Sequence, residues 1–112
     1  MPWAVDFHPA FAEEVRSLPV SVQDELFAQA AVIAEFGPTL GRPWVDTLKG
    51  SKVTNLKELR FVANDGVWRA LFAFDGQRVA VLLAAADKRG QGSARFYKAL
   101  IRLAEQRWSS WS

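Results

Sequence analysis

Cysteine is absent from the 112 residues, which excludes disulfide cross-links and thiolate metal ligation. One histidine, His8, and scattered carboxylates offer no ligand cluster, so neither a metal nor another cofactor is expected. Long hydrophobic runs are missing too. The longest, Val79–Ala86, falls far short of the roughly 20 apolar residues a bilayer-spanning helix needs. Residues 1–11 have neither the basic start nor the apolar stretch of a signal peptide. With no repeat, linker or low-complexity tract, half its residues hydrophobic and five tryptophans, the chain reads as a single soluble domain over 1–112. A cytoplasmic location without membrane contact is expected.

What is present is unevenly charged. Residues 1–48 hold two basic against seven acidic side chains, whereas residues 49–112 hold twelve basic against five acidic. A basic half fits an anionic partner, nucleic acid foremost, although a dipolar surface with no specific task has the same charge pattern.

The segment Leu56–Phe74 organises the basic half as a β-hairpin. Two alternating runs flank Asn64-Asp65-Gly66, residue types that tolerate the positive φ of tight hairpin turns. Alternation places Leu59, Phe61, Trp68, Ala70, Phe72 and Phe74 on a core face, together with Lys57. Leu56, Glu58, Arg60, Val62, Val67, Arg69, Leu71 and Ala73 fall on the other. An Asn64-Asp65 loop sets Arg60 directly opposite Arg69, and an Asp65-Gly66 loop sets them diagonally. Two arginines beside one glutamate in mid-sheet are costly unless something binds them. The plain alternative is a solvated face on which Glu58 neutralises one arginine.

Ahead of the hairpin, Trp3–Phe7 suits a short strand. His8-Pro9 then opens a helix carrying Phe11, Val15 and Leu18, with His8 in a structural role. Ser21 and Asp24 have the spacing of a capping box for a second helix, which Gly37-Pro38 stops. These two helices form an αα-hairpin over one sheet face, their acidic residues solvated. Residues 38–54 lack a period, and a loop of that length is either functional or hides an element. It carries Lys49 and Lys52, but Lys49-Gly50-Ser51-Lys52 is not a P-loop.

Behind the hairpin, residues 78–86 read as a strand buried on both sides. A two-residue Asp75-Gly76 turn pairs Leu82 with Arg69 and puts Ala80, Ala84 and Ala86 on the arginine face. That face, left open by the two helices, is the expected site. The charged loop of residues 87–92 leads to a last helix capped by Ser93. Phe96, Leu100, Ala104 and Trp108 form its stripe, and Arg95, Lys98, Arg102 and Arg107 load its outer side. Tyr97 can pack, stack on a base or bond through its hydroxyl. Trp108 and Trp111 can cover apolar surface or meet a partner.

This set of groups suits an anionic transition state. Arginine makes planar, bidentate contacts to phosphate, and fixed cations aimed at developing charge supply much of a catalytic rate. Cleavage of a phosphodiester through the 2′-hydroxyl would place Glu58 as base, Arg60 and Arg69 on the phosphate, and Lys88 or Tyr97 behind the leaving oxygen.

The element order, together with Thr47-Leu-Lys-Gly50, Leu56-Lys-Glu-Leu-Arg60, Trp68-Arg69-Ala-Leu-Phe72, Leu82-Leu83 and Asp87-Lys88, resembles the RelE/HigB toxin family. The likeness covers residues 2–108 and is nearest to the phage-associated HigB-like branch. It implies an α+β fold, a small antiparallel-rich twisted sheet with an N-terminal αα-hairpin on one face and a C-terminal helix. It also implies a type II toxin that cleaves mRNA on the ribosome without a metal and is held inactive by a cognate antitoxin, often of helix-turn-helix type. By position, Arg60 and Arg69 match the family's phosphate-binding arginines. Lys88 and Arg89 match a basic pair after the last strand, and Tyr97 a base-stacking or acid tyrosine. Lys49, Lys52, Lys57, Arg89, Arg95 and Lys98 are the expected RNA and ribosome contacts. Relatives with an active-site histidine after the last strand have no counterpart here, and Glu58 stands where some carry lysine. A ParE-like topoisomerase inhibitor and a non-catalytic RNA- or protein-binding module are the competing readings of the same architecture.

Overall fold

Asn64 and Asp65 adopt φ of +50° and +60°, so the chain reverses in a two-residue turn that places Ala63 opposite Gly66. In this computed structural model, which describes residues 2–111, the turn joins β3 (Lys57–Ala63) to β4 (Gly66–Phe74). The register follows from it, with Arg60 directly opposite Arg69 and Phe61 opposite Trp68. Opposing two cations costs on the order of 0.2–1 kcal/mol in a cross-strand pair. On the other face Leu59, Phe61, Trp68, Ala70 and Phe72 are buried, and each large apolar side chain contributes roughly 1.5–3 kcal/mol. Burial therefore sets the register, and the arginines follow.

The remaining elements are β1 (Ala4–Phe7), α1 (Pro9–Val15), α2 (Val20–Phe36), β2 (Val45–Thr47), β5 (Val79–Asp87) and α3 (Ser93–Ser110), with a 3₁₀ turn at Gly37–Thr39. The sheet runs β1-β5-β4-β3-β2, with β1 parallel to β5 and the other pairs antiparallel. The α+β architecture expected from the sequence is the one observed. Helices α1 and α2 bury Phe11, Val15, Val22, Leu26 and Ile33 against one face. Helix α3 buries Phe96, Leu100 and Ala104 against the other, over Leu56, Leu71, Val81 and Leu83.

Several expectations are corrected. Strand β2 lies inside the stretch read as a loop, and its Val45 is buried. Helix α2 starts at Val20 with Pro19 as its cap, so Ser21 and Asp24 form no capping box. Gly92, not Ser93, precedes α3, which runs on to Ser110. Ser112 lies outside the described residues. Arg107 is not on the outer side. It is buried, donating to the Leu83 carbonyl and from both ends of its guanidinium to Glu14. Glu14 is accordingly not a free solvated acid.

The β4–β5 connection also differs. Asp75 N–H bonds the Val79 carbonyl, and Arg78 sits at φ +62°, giving a three-residue loop rather than Asp75-Gly76 alone. The extra residue reverses the facing of β5, so Leu82 pairs with Phe72, and Ala80 and Leu82 join the α1/α2 core. A bulge opposite the Leu71–Phe72 step, which leaves Leu83 unpaired, reverses it again. Ala84 and Ala86 consequently sit opposite Leu71 and Arg69, on the arginine face as expected.

Candidate functional site

Register alone lays out the arginine face as rows across the strands. One row reads Asp46, Glu58, Leu71 and Ala84, and the next Arg60, Arg69 and Ala86. Beyond it comes Val62 opposite Val67, whose carbonyl accepts from the Lys88 N–H. The face is not left open along its whole length, because α3 covers its β4–β5 part and carries Tyr97 onto Arg69. What stays accessible is the β3 side and the end of the sheet at the Asn64-Asp65 turn. There Val62 is 71% exposed, and the Arg60 side chain is 42% exposed against 19% for Arg69.

Beneath the two guanidinium groups lies Glu58, with none of its surface exposed. Its Oε1 accepts from Arg60 Nε at 2.8 Å, and its Oε2 lies 3.8 Å from Arg69 Nε. Oε2 is buried without a hydrogen-bond partner. Arg69 Nε donates to the Tyr97 hydroxyl at 3.2 Å, and Arg69 Nη1 to the Trp68 carbonyl at 3.1 Å. Glu58 raises the Arg60 pKa above its ordinary value, chiefly through their hydrogen bond, so Arg60 stays a cation. Burial first, then the neighbouring Glu58 carboxylate, pushes the Tyr97 phenol above its usual range and keeps it protonated.

Of the residues singled out in the sequence, Glu58, Arg60, Arg69 and Tyr97 form one cluster. Lys88 follows the end of β5 and bonds the Val67 carbonyl through its N–H, two residues along from the Arg69–Ala86 pair. Arg89 points its charge elsewhere, pairing with Asp87 at 3.3 Å and donating to the Asp65 carbonyl at 2.6 Å. Lys57 alternates to the opposite face and donates to Thr47 Oγ1. Lys49 and Lys52 are exposed near the other end of β3, where Glu105 of α3 accepts from the Ser51 hydroxyl and the Lys52 N–H. Arg95 and Lys98 lie on the exposed side of α3. The six expected RNA contacts are therefore spread over several surfaces.

Asp46 escaped the sequence reading because its strand did. It pairs in register with Glu58, accepts from Arg42 at 2.8 Å and lies 3.6 Å from Arg60. The Arg42 bond, then that from the Thr47 N–H, holds its carboxyl below the ordinary range. One pair of opposed arginines thus lies over a buried carboxylate and beside a protonated phenol, and planar guanidinium groups of this kind can make bidentate contacts to an anion such as phosphate. Among the described residues no group of three or more His, Asp or Glu side chains gathers as a metal site would require. No helix among them is long and apolar enough to cross a membrane.

The model of the family described as Phage derived protein Gp49-like matches residues 13–109. The chain is 43% identical over 82 residues to a Mycobacterium tuberculosis protein named as toxin HigB2, covering 72% of this chain and 40% of that protein. It is 48% identical over 75 residues to one named as toxin HigB3 from the same organism, covering 67% and 63%. The chain thus spans less than two thirds of either relative. The archaeal RelE of a RelE–RelB complex from Pyrococcus horikoshii superposes with a TM-score of 0.60 at 19% identity, over 82% of this chain and all of that one. That likeness establishes the fold.

Proposed function

The chain belongs to the Phage derived protein Gp49-like family, of RelE/HigB type, and from that premise we propose that it is the toxin of a type II toxin–antitoxin pair that cleaves mRNA on the ribosome. One observation carries the reading: Arg60 and Arg69 stand directly opposite each other over a buried glutamate, at the border between the part of the face that α3 covers and the part it leaves open. In this reading they hold the scissile phosphate and neutralise the charge that grows on its oxygens. The 2′-hydroxyl loses its proton to solvent water as its oxygen attacks phosphorus, the bond to the 5′-oxygen breaks, and a 2′,3′-cyclic phosphate is left. Tyr97, protonated and beside Arg69, delivers the proton that the departing 5′-oxygen needs, and Lys88 serves the 2′-hydroxyl side of the same face. Glu58 is not the base in this scheme. A carboxylate with no exposed surface reaches no ribose, and its task is to hold the two arginines.

A cognate antitoxin, of helix-turn-helix type in our reading, silences the protein in the cytoplasm. Naming as HigB toxins among its relatives and the RelE–RelB complex among its structural neighbours support that partner. The test is primer extension on mRNA from cells expressing this chain. Codon-linked cuts are expected, lost by at least about 100-fold in Arg69→Ala, the scale of one oxyanion-stabilising group. Intact message together with arrested replication would overturn the proposal in favour of a topoisomerase inhibitor.

A further inference from the structure

Val62 and Val67 form a directly opposed cross-strand pair, 71% and 41% exposed, on the same face as the arginines. Single exposed valines are ordinary, but this pair is directly opposed and borders the arginine row, with Lys88 at its β4 end. Arg60 and Arg69 lie one row away on one side, and Lys88 pairs with Val67 through the backbone on the other. The backbone beneath the pair is tied down. Val67 N–H donates to Asp87 Oδ1 at 3.1 Å, its carbonyl accepts from Lys88, and Arg89 ties Asp87 to the Asp65 carbonyl of the turn. A surface that is flat, apolar and preorganised, beside fixed phosphate donors, fits a ligand with alternating anionic and planar apolar parts.

We propose that the Val62–Val67 pair is a nucleobase platform, on which the base adjoining the gripped phosphate lies flat. The proposal rests on the RNA-binding reading above and deepens it by adding a subsite. The geometry supports this occupant: rows two residues apart along a strand are separated by roughly 6.8 Å, comparable with the span of a nucleotide from phosphate to base. An aliphatic floor has no hydrogen-bonding groups, so the platform accepts any base and leaves sequence choice to other contacts.

The full chain, titrated with two uncleavable probes, tests this. One is a 2′-O-methyl trinucleotide, and the other is the same molecule with its central base removed. In methyl-detected NMR, the intact probe is expected to shift the Val62 and Val67 methyls, and the abasic probe to shift only the arginine Nε signals. Removing the base should weaken binding roughly fivefold to tenfold, the lower range for base stacking. In a Val62→Thr/Val67→Thr protein, which keeps the strand-favouring branch, the two probes should bind equally. Unshifted valine methyls with normal arginine shifts would overturn the platform while leaving RNA binding intact. Failure of both probes to shift any residue of this face would overturn both readings. Valine shifts produced only by the antitoxin, with the double variant still distinguishing the probes, would reject the platform in favour of a protein-docking patch.

Discussion

Glu58 and Arg69 are diagonal neighbours on one face of the sheet, 3.8 Å apart and too far for a hydrogen bond, while Glu58 holds Arg60 at 2.8 Å. The carboxylate is thus shared unequally between two opposed guanidinium groups. Take it away and two cations oppose each other over an apolar sheet. Glu58→Ala is expected to destabilise the fold by about 3 kcal/mol, as when one partner of a buried pair is removed. Glu58→Gln keeps the shape and an acceptor for Arg60 but loses the charge, and should cost less. Urea unfolding measures both. A holder predicts that cleavage falls in parallel with the loss of arginine order, without a change in the shape of the pH–rate profile. Loss of one limb of that profile in Glu58→Gln, at unchanged stability, would make Glu58 the base after all.

A side chain at Gly66 would force its neighbours to shift. A Cβ there would lie 2.6 Å from Asp87 Oδ2 and 2.8 Å from Trp68 Nε1. Asp87 is the residue that ties the exit of β5 to the hairpin, accepting from the Val67 and Arg89 N–H groups. Gly66→Ala should therefore cost about 1–3 kcal/mol, in the range of overpacked sites, and loosen the loop that carries Lys88. Gly76→Ala, with nothing within 4 Å of its added methyl, is the matched control and should unfold like the parent.

The hairpin was legible because three independent signals agreed: turn residues that tolerate positive φ, strict alternation, and an apolar face too large to expose. Tyr97 was legible as a candidate but not in its position, since its place beside Arg69 depends on α3 crossing the arginine face, which periodicity cannot show. β2 was hidden by its length, because three residues with Pro43 and Gly50 nearby hold too little alternation to register. The facing of β5 needed the loop length and the bulge together. Each flips the strand, and neither has a sequence signal as strong as Asn-Asp-Gly. Arg107 was misplaced because an arginine near a helix end is normally solvated, and only the fold brings Glu14 and the Leu83 carbonyl to it.

That buried arginine yields a separate prediction. Its guanidinium meets both oxygens of Glu14, at 2.8 and 2.6 Å, and the Leu83 carbonyl at 2.8 Å, locking α3 to α1 and to β5. Glu14 is half exposed, so the ion pair itself is weak, whereas the buried carbonyl cannot find water. Arg107→Ala should cost about 2–3 kcal/mol and Glu14→Gln less than about 1 kcal/mol. Equal losses in urea titrations would show that the pair, rather than the carbonyl, dominates.

The start of α1 makes stability depend on pH. His8 caps the helix through Nδ1, which accepts from the Ala10 N–H at 3.1 Å. In the neutral ring Nε2 then carries the hydrogen and meets Ser110 Oγ at 2.8 Å, and that hydroxyl donates to the Arg107 carbonyl. A second proton would land on Nδ1 and break the cap. Burial, then the nearby Arg107 charge, lowers the His8 pKa from 6.5. In the unfolded chain the ring takes up its proton first as pH falls, so the unfolded state binds more protons between the two pKa values. The His8 contribution to stability is therefore fully present above 6.5 and is lost as pH drops through 6.5 toward the lowered folded value. Urea midpoints between pH 7.5 and pH 5, roughly the range over which histidine changes charge, should trace that fall. In His8→Asn, whose side chain also caps helices, the fall should vanish while most of the helix survives. A parent midpoint flat through 6.5, or a decline that persists in His8→Asn, would remove His8 as its source.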